Sequence, residues 1–347
     1  MSSSIELFAG TTPKTILFSP LDWGLGHATR CIPLIKEAIN AGHRVIIAAD
    51  NGPYALLKSE FPSLEFIRLE GYEIKYPPNG NMIFSMAVQL PRLVRKIILE
   101  FFKIKKIVSN HKIDWVISDN RYGLFGHQAK AIFITHQIHI KTGIFEFFFN
   151  SINRWFIERY DECWIPDKES QQNLGGELSH PTLLPRNTLY IGPISRFESR
   201  KALRENIELL ILLSGPEPQR TLFENLIIQQ LQHFSESVVM VRGLPLEANK
   251  LVLNGNLKVY NHLPDSELNQ LLIQSRIVLS RSGYSTIMDL MALKKKAVFI
   301  PTPGQTEQEY LATRFKKMNI APFQKQSEFN LKELLMEAKS YQGFSGW

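Results

Sequence analysis

The feature that most constrains this chain is the alternation of short apolar runs with amphipathic segments along almost its whole length. In the amino-terminal half the strand-like runs are TILFS (15–19), RVIIAAD (44–50), LEFIRLE (64–70), DWVISD (114–119), KAIFITH (130–136) and ECWIPD (162–167). The clearest intervening helix is predicted over 30–42, where Gly42 suits a helix C-cap. This alternation is typical of a parallel sheet covered by helices on both faces.

The same alternation restarts in the carboxyl-terminal half, after a turn-rich stretch over 175–187 and a segment over 189–206, where we place the domain boundary. Its strand-like runs are ELLILLSG (208–215), SVVMVRG (237–243), LKVYNHL (257–263), RIVLSRSG (276–283) and AVFIPTPG (297–304), and residues 330–341 predict a closing helix. A chain of 347 residues usually forms two domains. We therefore predict an α/β protein with two Rossmann-like, doubly wound domains facing across a cleft, at 1–195 and 196–335, with a tail at 336–347.

The charge balance favours anionic partners, since the net charge is +7. A nucleotide, a lipid phosphate and an anionic membrane surface all fit it, whereas nucleic acid is disfavoured because no nucleic-acid-binding motif is present. Cys31 and Cys163 lie far apart, without metal-ligand spacing, which argues against a disulfide framework and fits a reducing cytoplasm. The amino terminus lacks a secretory pattern and charges interrupt the most apolar stretches, so we expect no transmembrane helix.

The loop PLDWGLGHATR (20–30) follows the first predicted strand. Gly24 and Gly26 allow a ligand to approach the backbone, and the helix that follows offers free N–H groups. The dinucleotide fingerprint needs a third glycine where Thr29 stands, so a dehydrogenase is disfavoured. A Gly-x-Gly pair after a strand fits a structural turn equally well.

His27 in this loop and Asp119 in VISDNRYG (116–123) both follow strands of the same predicted sheet. A carboxylate beside a histidine fixes its tautomer and makes it a general base for a hydroxyl group. The alternative is that Asp119 caps the next helix. Asn120, His136 and Gln137 follow neighbouring strands and are candidates to bind an acceptor. His136 and His139 also raise the question of zinc, but no third-ligand spacing is present and we expect no metal.

Small residues follow two strands of the second domain, Ser214 and Gly215 after one, and Ser282 and Gly283 after another. Tyr284, Ser285 and Thr286 then begin a helix whose first amides suit a diphosphate. The alternative is an ordinary helix cap.

Asp289 lies one turn into that helix, where its carboxylate suits ribose hydroxyls. The next strand is followed by polar side chains that suit the hydroxyls of a sugar: Gln305, Glu307, Gln308 and Glu309.

The segment RSGYSTIMDLMALKKKAVFIPTPGQTEQEYLA (281–312) resembles the donor-binding signature of GT-B glycosyltransferases. The chain is most similar to glycosyltransferase family 28, which includes the lipid II-forming N-acetylglucosaminyltransferase, and to related UDP-sugar transferases. The resemblance spans about residues 14–335. It implies the GT-B fold, with an acceptor-binding domain at 1–195 and a nucleotide-sugar-binding domain at 196–335.

The resemblance also implies roles for individual residues. Gly283, Ser285 and Thr286 would face the diphosphate of a UDP-sugar, and the backbone of Leu263 would read the base. Asp289 stands where the family has a ribose-binding acid, usually glutamate. Gln308 and Glu309 would read the sugar hydroxyls, although the family normally has glutamine at the second position. His27 and Asp119 would be the base and its orienting partner.

The implied reaction is an inverting, metal-independent transfer of a hexosyl group from a UDP-sugar to an acceptor hydroxyl, with no cofactor besides this co-substrate. No Asp-x-Asp motif occurs in the chain. The loop over 22–26 has fewer glycines than the family usually carries, so the resemblance leaves a lipid-linked acceptor open. Two alternatives share the architecture: an enzyme like the UDP-sugar 2-epimerases, and a non-catalytic protein that binds nucleotide sugars.

Two segments, 90–108 and 145–156, mix cationic with bulky apolar side chains. Such segments suit a peripheral contact with anionic lipid at the inner face of the cytoplasmic membrane. They equally suit ordinary helices that pack on the sheet with their lysines in water.

Overall fold

The computed structural model describes residues 7–74, 82–199, 205–232, 234–247 and 252–347. The chain divides into two compact units. Among the described residues, the first comprises 7–23, 27–74 and 83–194, and the second comprises 195–199, 205–232, 234–247 and 252–347 with the short segment 24–26 and Met82.

The first unit contains a seven-stranded sheet in the order β3-β2-β1-β4-β5-β6-β7, with every neighbouring pair parallel. The strands are β1 (Thr15–Pro20), β2 (Arg44–Ala49), β3 (Glu65–Arg68), β4 (Trp115–Asp119), β5 (Lys130–Ile134), β6 (Glu162–Ile165) and β7 (Thr188–Tyr190). The helices are α1 (Gly26–Asn40), α2 (Asn51–Glu60), α3 (Met82–His111) and α4 (Glu146–Ile157). The central strands are apolar along their length because helices cover both faces of a parallel sheet.

The second unit contains a six-stranded sheet in the order β10-β11-β9-β8-β12-β13. The strands are β8 (Ile207–Leu212), β9 (Val238–Val241), β10 (Val252–Asn254), β11 (Leu257–Tyr260), β12 (Ser275–Ser280) and β13 (Lys296–Phe299). The helices are α5 (Gln219–Leu231), α6 (Asp265–Gln274), α7 (Tyr284–Ala292), α8 (Thr306–Lys317) and α9 (Leu331–Ala338). Only the edge pair β10–β11 is antiparallel within the described part of this sheet.

Every predicted strand run forms a strand, and two short strands were not predicted. β7 directly follows the stretch interpreted as turn-rich, and its three residues are too few to show a pattern. β10 pairs with β11 through a hairpin around Gly255, whose φ of 60° suits a tight turn. Within the predicted tail, 336–347, α9 continues to Ala338 and Phe344 is fully buried, so the tail is part of the second unit.

The strand order places one switch point in each sheet. In the first unit β1 lies between β2 and β4, and in the second unit β8 lies between β9 and β12. At these points the connections leave the sheet in opposite directions and open a crevice at the carboxyl ends of the strands. The loops after β1 and β4, and after β8 and β12, are therefore where the fold favours binding.

Candidate active site

The loop after β1 is held in place by Asp22, whose side chain was not among the predicted site residues. Its Oδ1 accepts a hydrogen bond from the backbone N–H of Tyr72 at 2.8 Å, and its Oδ2 accepts one from Glu73 at 3.1 Å. A Cβ on Gly71 would lie 1.9 Å from Oδ2, so only glycine fits there. Gly24 has a φ of 84°, which turns the chain toward the start of α1.

His27 and Asp119 are brought together as the sequence predicted. His27 lies in the first turn of α1, Asp119 ends the neighbouring strand β4, and Nδ1 of His27 is 2.6 Å from Oδ1 of Asp119. Asp119 is fully buried, whereas the His27 side chain keeps 15% of its surface exposed. The register pairs Pro20 with Asp119, which fixes the carboxylate beside the loop.

Arg30, one turn after His27 on α1, is a member of this cluster that the sequence analysis missed. Its Nε donates to Oδ2 of Asp119 and its Nη2 to Oδ1, in a two-pronged contact. Both side chains are almost fully buried. A cation at position i+3 from His27, on a helix that is otherwise apolar at its buried face, was the signal available in the sequence.

Charge explains how Asp119 remains ionised in this environment. Burial alone would raise the pKa of the carboxyl group, but the Arg30 guanidinium and His27 hold it below its usual value. Asp119 is therefore a carboxylate at neutral pH and can only accept hydrogen bonds. Its role as a helix cap is excluded by these contacts, since both oxygens bond side chains.

The end of β5 contributes the predicted residues His136 and Gln137. Nδ1 of His136 is 2.9 Å from Nη1 of Arg30, so this histidine joins the same buried cluster. The backbone N–H of Gln137 donates to Oγ1 of Thr135. Asn120, at the end of β4, has a φ of 61° and a buried Oδ1 without a hydrogen-bond partner among the described residues.

His139 lies apart from this cluster. Its Nε2 is 2.5 Å from Oε1 of Glu146, at the start of α4. Among the residues that the structure describes, no three His, Cys, Asp or Glu side chains converge as metal ligands.

In the second unit, the predicted small residues line the ends of β8 and β12. Gly215 has a φ of 111°, a conformation that residues with a side chain rarely adopt. A Cβ at this position would lie 3.9 Å from Oγ1 of Thr302. Gly283 instead has an ordinary φ of −74°, and a Cβ there would meet nothing within 4 Å. Open space therefore lies in front of the first turn of α7, whose N-cap supplies no side-chain bond.

The start of α7 contains Tyr284, Ser285 and Thr286, as predicted, with Tyr284 buried. The backbone N–H groups of a first helical turn have no acceptor within the helix. Together with the dipole of the nine-residue helix, they favour an anion at this end.

Three buried hydroxyl groups adjoin this region, and the sequence analysis identified one of them. Oγ of Ser282 donates to the carbonyl of Gln308 at 2.7 Å, so this side chain braces the site. Ser280 is the last residue of β12, and Thr302 follows β13. The hydroxyl groups of both residues are buried and have no hydrogen-bond partner in the described chain. Buried polar atoms are normally paired, so these two hydroxyl groups are candidates to bond a ligand or a water molecule.

Gln308 and Glu309 hold the loop after β13 through one oxygen each. Oε1 of Gln308 accepts from the backbone N–H of Thr302 at 2.8 Å, and Oε1 of Glu309 accepts from that of Gly304 at 3.1 Å. The Nε2 of Gln308 has no acceptor among the described residues. Gln305 and Glu307 lie in the same loop and the first turn of α8.

Leu263 precedes α6 and has a buried side chain. Its backbone N–H and C=O have no hydrogen-bond partner within the described ranges. They remain available to a ligand.

Asp289 is buried on α7 and already engaged. Its Oδ1 accepts a hydrogen bond from Oγ of Ser195 at 2.7 Å, and its Oδ2 lies 3.7 Å from Nε of Arg196. Burial raises the pKa of Asp289 to about 6, although Arg196 and Ser195 oppose the shift. This contact was not predictable from the sequence pattern, because Ser195 lies in the connecting segment, 94 positions before Asp289.

Comparison with known proteins finds glycosyltransferases. Residues 223–341 match the family model described as the glycosyltransferase family 28 C-terminal domain. An uncharacterized glycosyltransferase of Methanosarcina acetivorans is 24% identical over 313 residues, which cover 82% of this chain and 79% of that protein. This chain is a glycosyltransferase.

A second relative is the UDP-N-acetylglucosamine--N-acetylmuramyl-(pentapeptide) pyrophosphoryl-undecaprenol N-acetylglucosamine transferase of Lactococcus lactis. It is 24% identical over 309 residues, covering 80% of this chain and 82% of that one. The solved structure of the spinosyn rhamnosyltransferase SpnG with thymidine diphosphate matches with a TM-score of 0.63 at 13% identity, covering 96% and 93% of the two chains. The glycosyltransferase has the GT-B fold, as the resemblance implied.

Within the described part of the glycosyltransferase, no helix is long and apolar enough to cross a membrane.

Proposed function

We propose that this glycosyltransferase moves a hexosyl group from a UDP-sugar to an acceptor hydroxyl, with inversion at the anomeric carbon and without a metal ion. The observation that carries the proposal is the contact between His27 Nδ1 and the Asp119 carboxylate. An ionised Asp119 only accepts, so Nδ1 of His27 carries the proton and Nε2 keeps its lone pair. A general base for a hydroxyl needs that tautomer.

The reaction is a single displacement. Nε2 of His27 takes the proton of the acceptor hydroxyl while that oxygen forms a bond to the anomeric carbon. The bond from this carbon to the diphosphate oxygen breaks at the same time, and UDP leaves with the electron pair. Attack opposite the leaving group inverts the configuration.

The start of α7 supports the departure of UDP. Negative charge grows on the diphosphate as the glycosidic bond breaks, and backbone N–H groups fixed at a helix N-terminus stabilise it. The open space at Gly283 and the unpaired hydroxyls of Ser280 and Thr302 fit a diphosphate there. We assign the backbone of Leu263 to the base, Asp289 to the ribose, and Gln308 and Glu309 to the sugar.

Uridine is our choice of nucleoside because the Lactococcus lactis relative is named for a UDP-sugar. The spinosyn enzyme was solved with thymidine diphosphate, which differs in its base and in lacking the 2′-hydroxyl. The free backbone groups of Leu263 suit a pyrimidine edge with one donor and one acceptor. Asp289 provides a carboxylate for a ribose that keeps both hydroxyls.

We also propose that the acceptor is lipid-linked and that the enzyme binds the membrane surface peripherally. The Lactococcus lactis relative is named for an undecaprenol-linked acceptor. On α4, Phe147 is 88% and Trp155 51% exposed, and the Arg159 guanidinium stacks 3.7 Å from the Trp155 ring. Exposed aromatic rings beside cations suit the headgroup region of anionic bilayers.

The experiment that tests the function is a thermal-shift screen of UDP-, dTDP- and GDP-sugars, followed by mass spectrometry of the products formed from the best binder. We expect stabilisation by UDP-sugars and release of UDP that depends on an added acceptor. A product that is an isomer of the donor, formed without an acceptor, would identify an epimerase instead. Binding with no product under any acceptor would identify a non-catalytic protein.

A further inference from the structure

Arg30 contacts Asp119, His27 and His136 through the three nitrogens of its guanidinium group. Nε and Nη2 donate to the two oxygens of Asp119, and Nη1 lies 2.9 Å from Nδ1 of His136. Nη2 is also 3.1 Å from Nδ1 of His27. Arg30, Asp119 and His136 are all buried, so these contacts are fixed rather than exchanged with water.

The tautomer of His27 follows from its contacts. Asp119 is ionised and accepts, so the 2.6 Å contact requires a proton on Nδ1 of His27. Nη2 of Arg30 and the protonated Nδ1 of His27 are then both donors. Both of these nitrogens donate to Oδ1 of Asp119 rather than to each other. Arg30 holds that carboxylate at both oxygens, which prevents it from turning away from His27.

The tautomer of His136 follows in the opposite sense. A guanidinium has five donors and no acceptor, so Nδ1 of His136 accepts from Nη1 of Arg30 and carries no proton. The neutral ring of His136 therefore has its proton on Nε2. Arg30 thus favours the tautomer of His27 that has a lone pair on Nε2 and the tautomer of His136 that has a proton on Nε2.

We propose that Arg30 is a positioning residue that holds His27 in the base tautomer and His136 in the donor tautomer. The assignment of tautomers rests on the geometry alone, whereas its effect on turnover rests on the proposed function. In that reaction Nε2 of His27 removes a proton, which requires the tautomer that Arg30 maintains.

A simpler role for Arg30 is to neutralise the buried charge of Asp119. A lysine at position 30 could neutralise Asp119, but it could not position both histidines. Lysine keeps the charge, but a single ammonium cannot bond both carboxylate oxygens and reach His136 in the fixed geometry of the guanidinium fork. If neutralisation were its whole role, Arg30→Lys would behave as the wild type.

The first test is a long-range ¹H–¹⁵N correlation spectrum of histidine-labelled protein at about pH 8, above the usual pKa of histidine. His27→Gln and His136→Gln identify the two signals. We expect protonation of Nδ1 in His27 and of Nε2 in His136, and we expect His136 to show both tautomers in Arg30→Lys. A wild-type His27 protonated on Nε2, or a His136 protonated on Nδ1, overturns the proposal.

The second test is steady-state kinetics with the best nucleotide sugar and its acceptor. We expect Arg30→Lys to lower kcat roughly tenfold or more, as part of the 10²–10⁴ that a positioned base supplies, with the KM for the donor unchanged. Arg121→Lys is the matched control, since Arg121 is equally buried and pairs with Glu100 in the same unit. It should lower thermal stability while leaving the tautomers and kcat of the folded enzyme as they are.

An Arg30→Lys enzyme with wild-type kcat and a single His136 tautomer would reduce Arg30 to charge neutralisation. The spectrum requires no substrate, so it decides the tautomers even if no nucleotide sugar is turned over. Failure of the proposed function and failure of this inference therefore give different results.

Discussion

Oγ of Ser195 donates a hydrogen bond of 2.7 Å to Oδ1 of Asp289, so the acid assigned to the donor ribose is bound by a residue of its own unit that precedes β8. The carboxylate lies on α7, and Arg196 adds a charge 3.7 Å from its other oxygen. A ribose hydroxyl that reaches Asp289 must share Oδ1 with Ser195 or use Oδ2. This contact links α7 to the connecting segment, in addition to the ribose-binding role that we propose for Asp289.

The raised pKa of Asp289 makes its contribution to stability depend on pH. Burial raises this pKa from 3.8 to about 6, so between these values the folded protein binds a proton that the unfolded chain has lost. The stabilisation is complete below about pH 4 and is lost as the pH rises through 6. The free energy of unfolding should fall by up to about 3 kcal/mol from this group between about pH 4 and 7.

Urea unfolding of Asp289→Asn checks this pH dependence. The variant cannot titrate at this position, so the wild type should lose stability relative to it across that range. Ser195→Ala is the control, because it keeps the carboxyl group but removes a hydrogen bond that opposes the raised pKa, so its loss of stability with pH should be at least as large as that of the wild type. A constant difference between wild type and Asp289→Asn from pH 4 to 7 would contradict the expectation.

The predictions from sequence succeeded where strand ends alone decide position. His27 and Asp119 follow neighbouring parallel strands, so their carboxyl ends converge whatever the loops do. The start of α7 was identifiable for the same reason, because Gly283 follows β12 and precedes a helix.

The residues that were missed depend on side-chain direction and on contacts distant in sequence. Arg30 reaches Asp119 and His136 because α1 turns its buried face toward β4 and β5, which periodicity alone does not reveal for a cation. The hydroxyls of Ser280 and Thr302 became notable only through their burial without partners. The three-residue strands β7 and β10 were too short to show a pattern.

Replacing His27, the proposed base, should slow turnover strongly but leave the donor bound. His27→Ala removes the acceptor of the hydroxyl proton, so we expect kcat to fall by about 10²–10⁴. The affinity for UDP, measured by calorimetry, should stay within about twofold, since the donor residues belong to the other unit. His111→Ala, which removes a partly exposed histidine at the end of α3, is the control and should keep full activity. Wild-type kcat in His27→Ala would remove His27 from the role of base.

The substitution Gly283→Ser, at the N-cap of α7, should stabilise the protein slightly while weakening donor binding. Gly283 has a φ that any residue adopts and open space around its Cβ, so Gly283→Ser folds without strain. The serine oxygen can accept from the first amides of α7, stabilising the protein by a few tenths of a kcal/mol. The same amides are then occupied, so the KM for the donor should rise roughly tenfold.

Asn330→Ala is the matched control for that experiment. Asn330 caps α9 by accepting from the backbone N–H of Glu333 at 3.2 Å, so its loss should cost about 1 kcal/mol. The donor KM should not change, because α9 lies outside the proposed site. Unfolding curves and donor titrations of both variants check the pair. Unchanged donor binding in Gly283→Ser would show that the diphosphate does not use these amides.

The exposed aromatic residues of α4 should determine binding to anionic vesicles. The double substitution Phe147→Ser and Trp155→Ser removes two large apolar side chains that the fold leaves 88% and 51% exposed. Each buries enough apolar surface in a bilayer interface to contribute about 1 kcal/mol or more, so we expect a loss of roughly tenfold or more in partitioning. Flotation with phosphatidylglycerol vesicles measures this loss, and Leu183→Ser is the control because Leu183 is 73% exposed outside α4. Equal flotation of the double variant and the wild type would leave α4 without a role at the membrane, whereas release at high salt alone would assign the attraction to the cations.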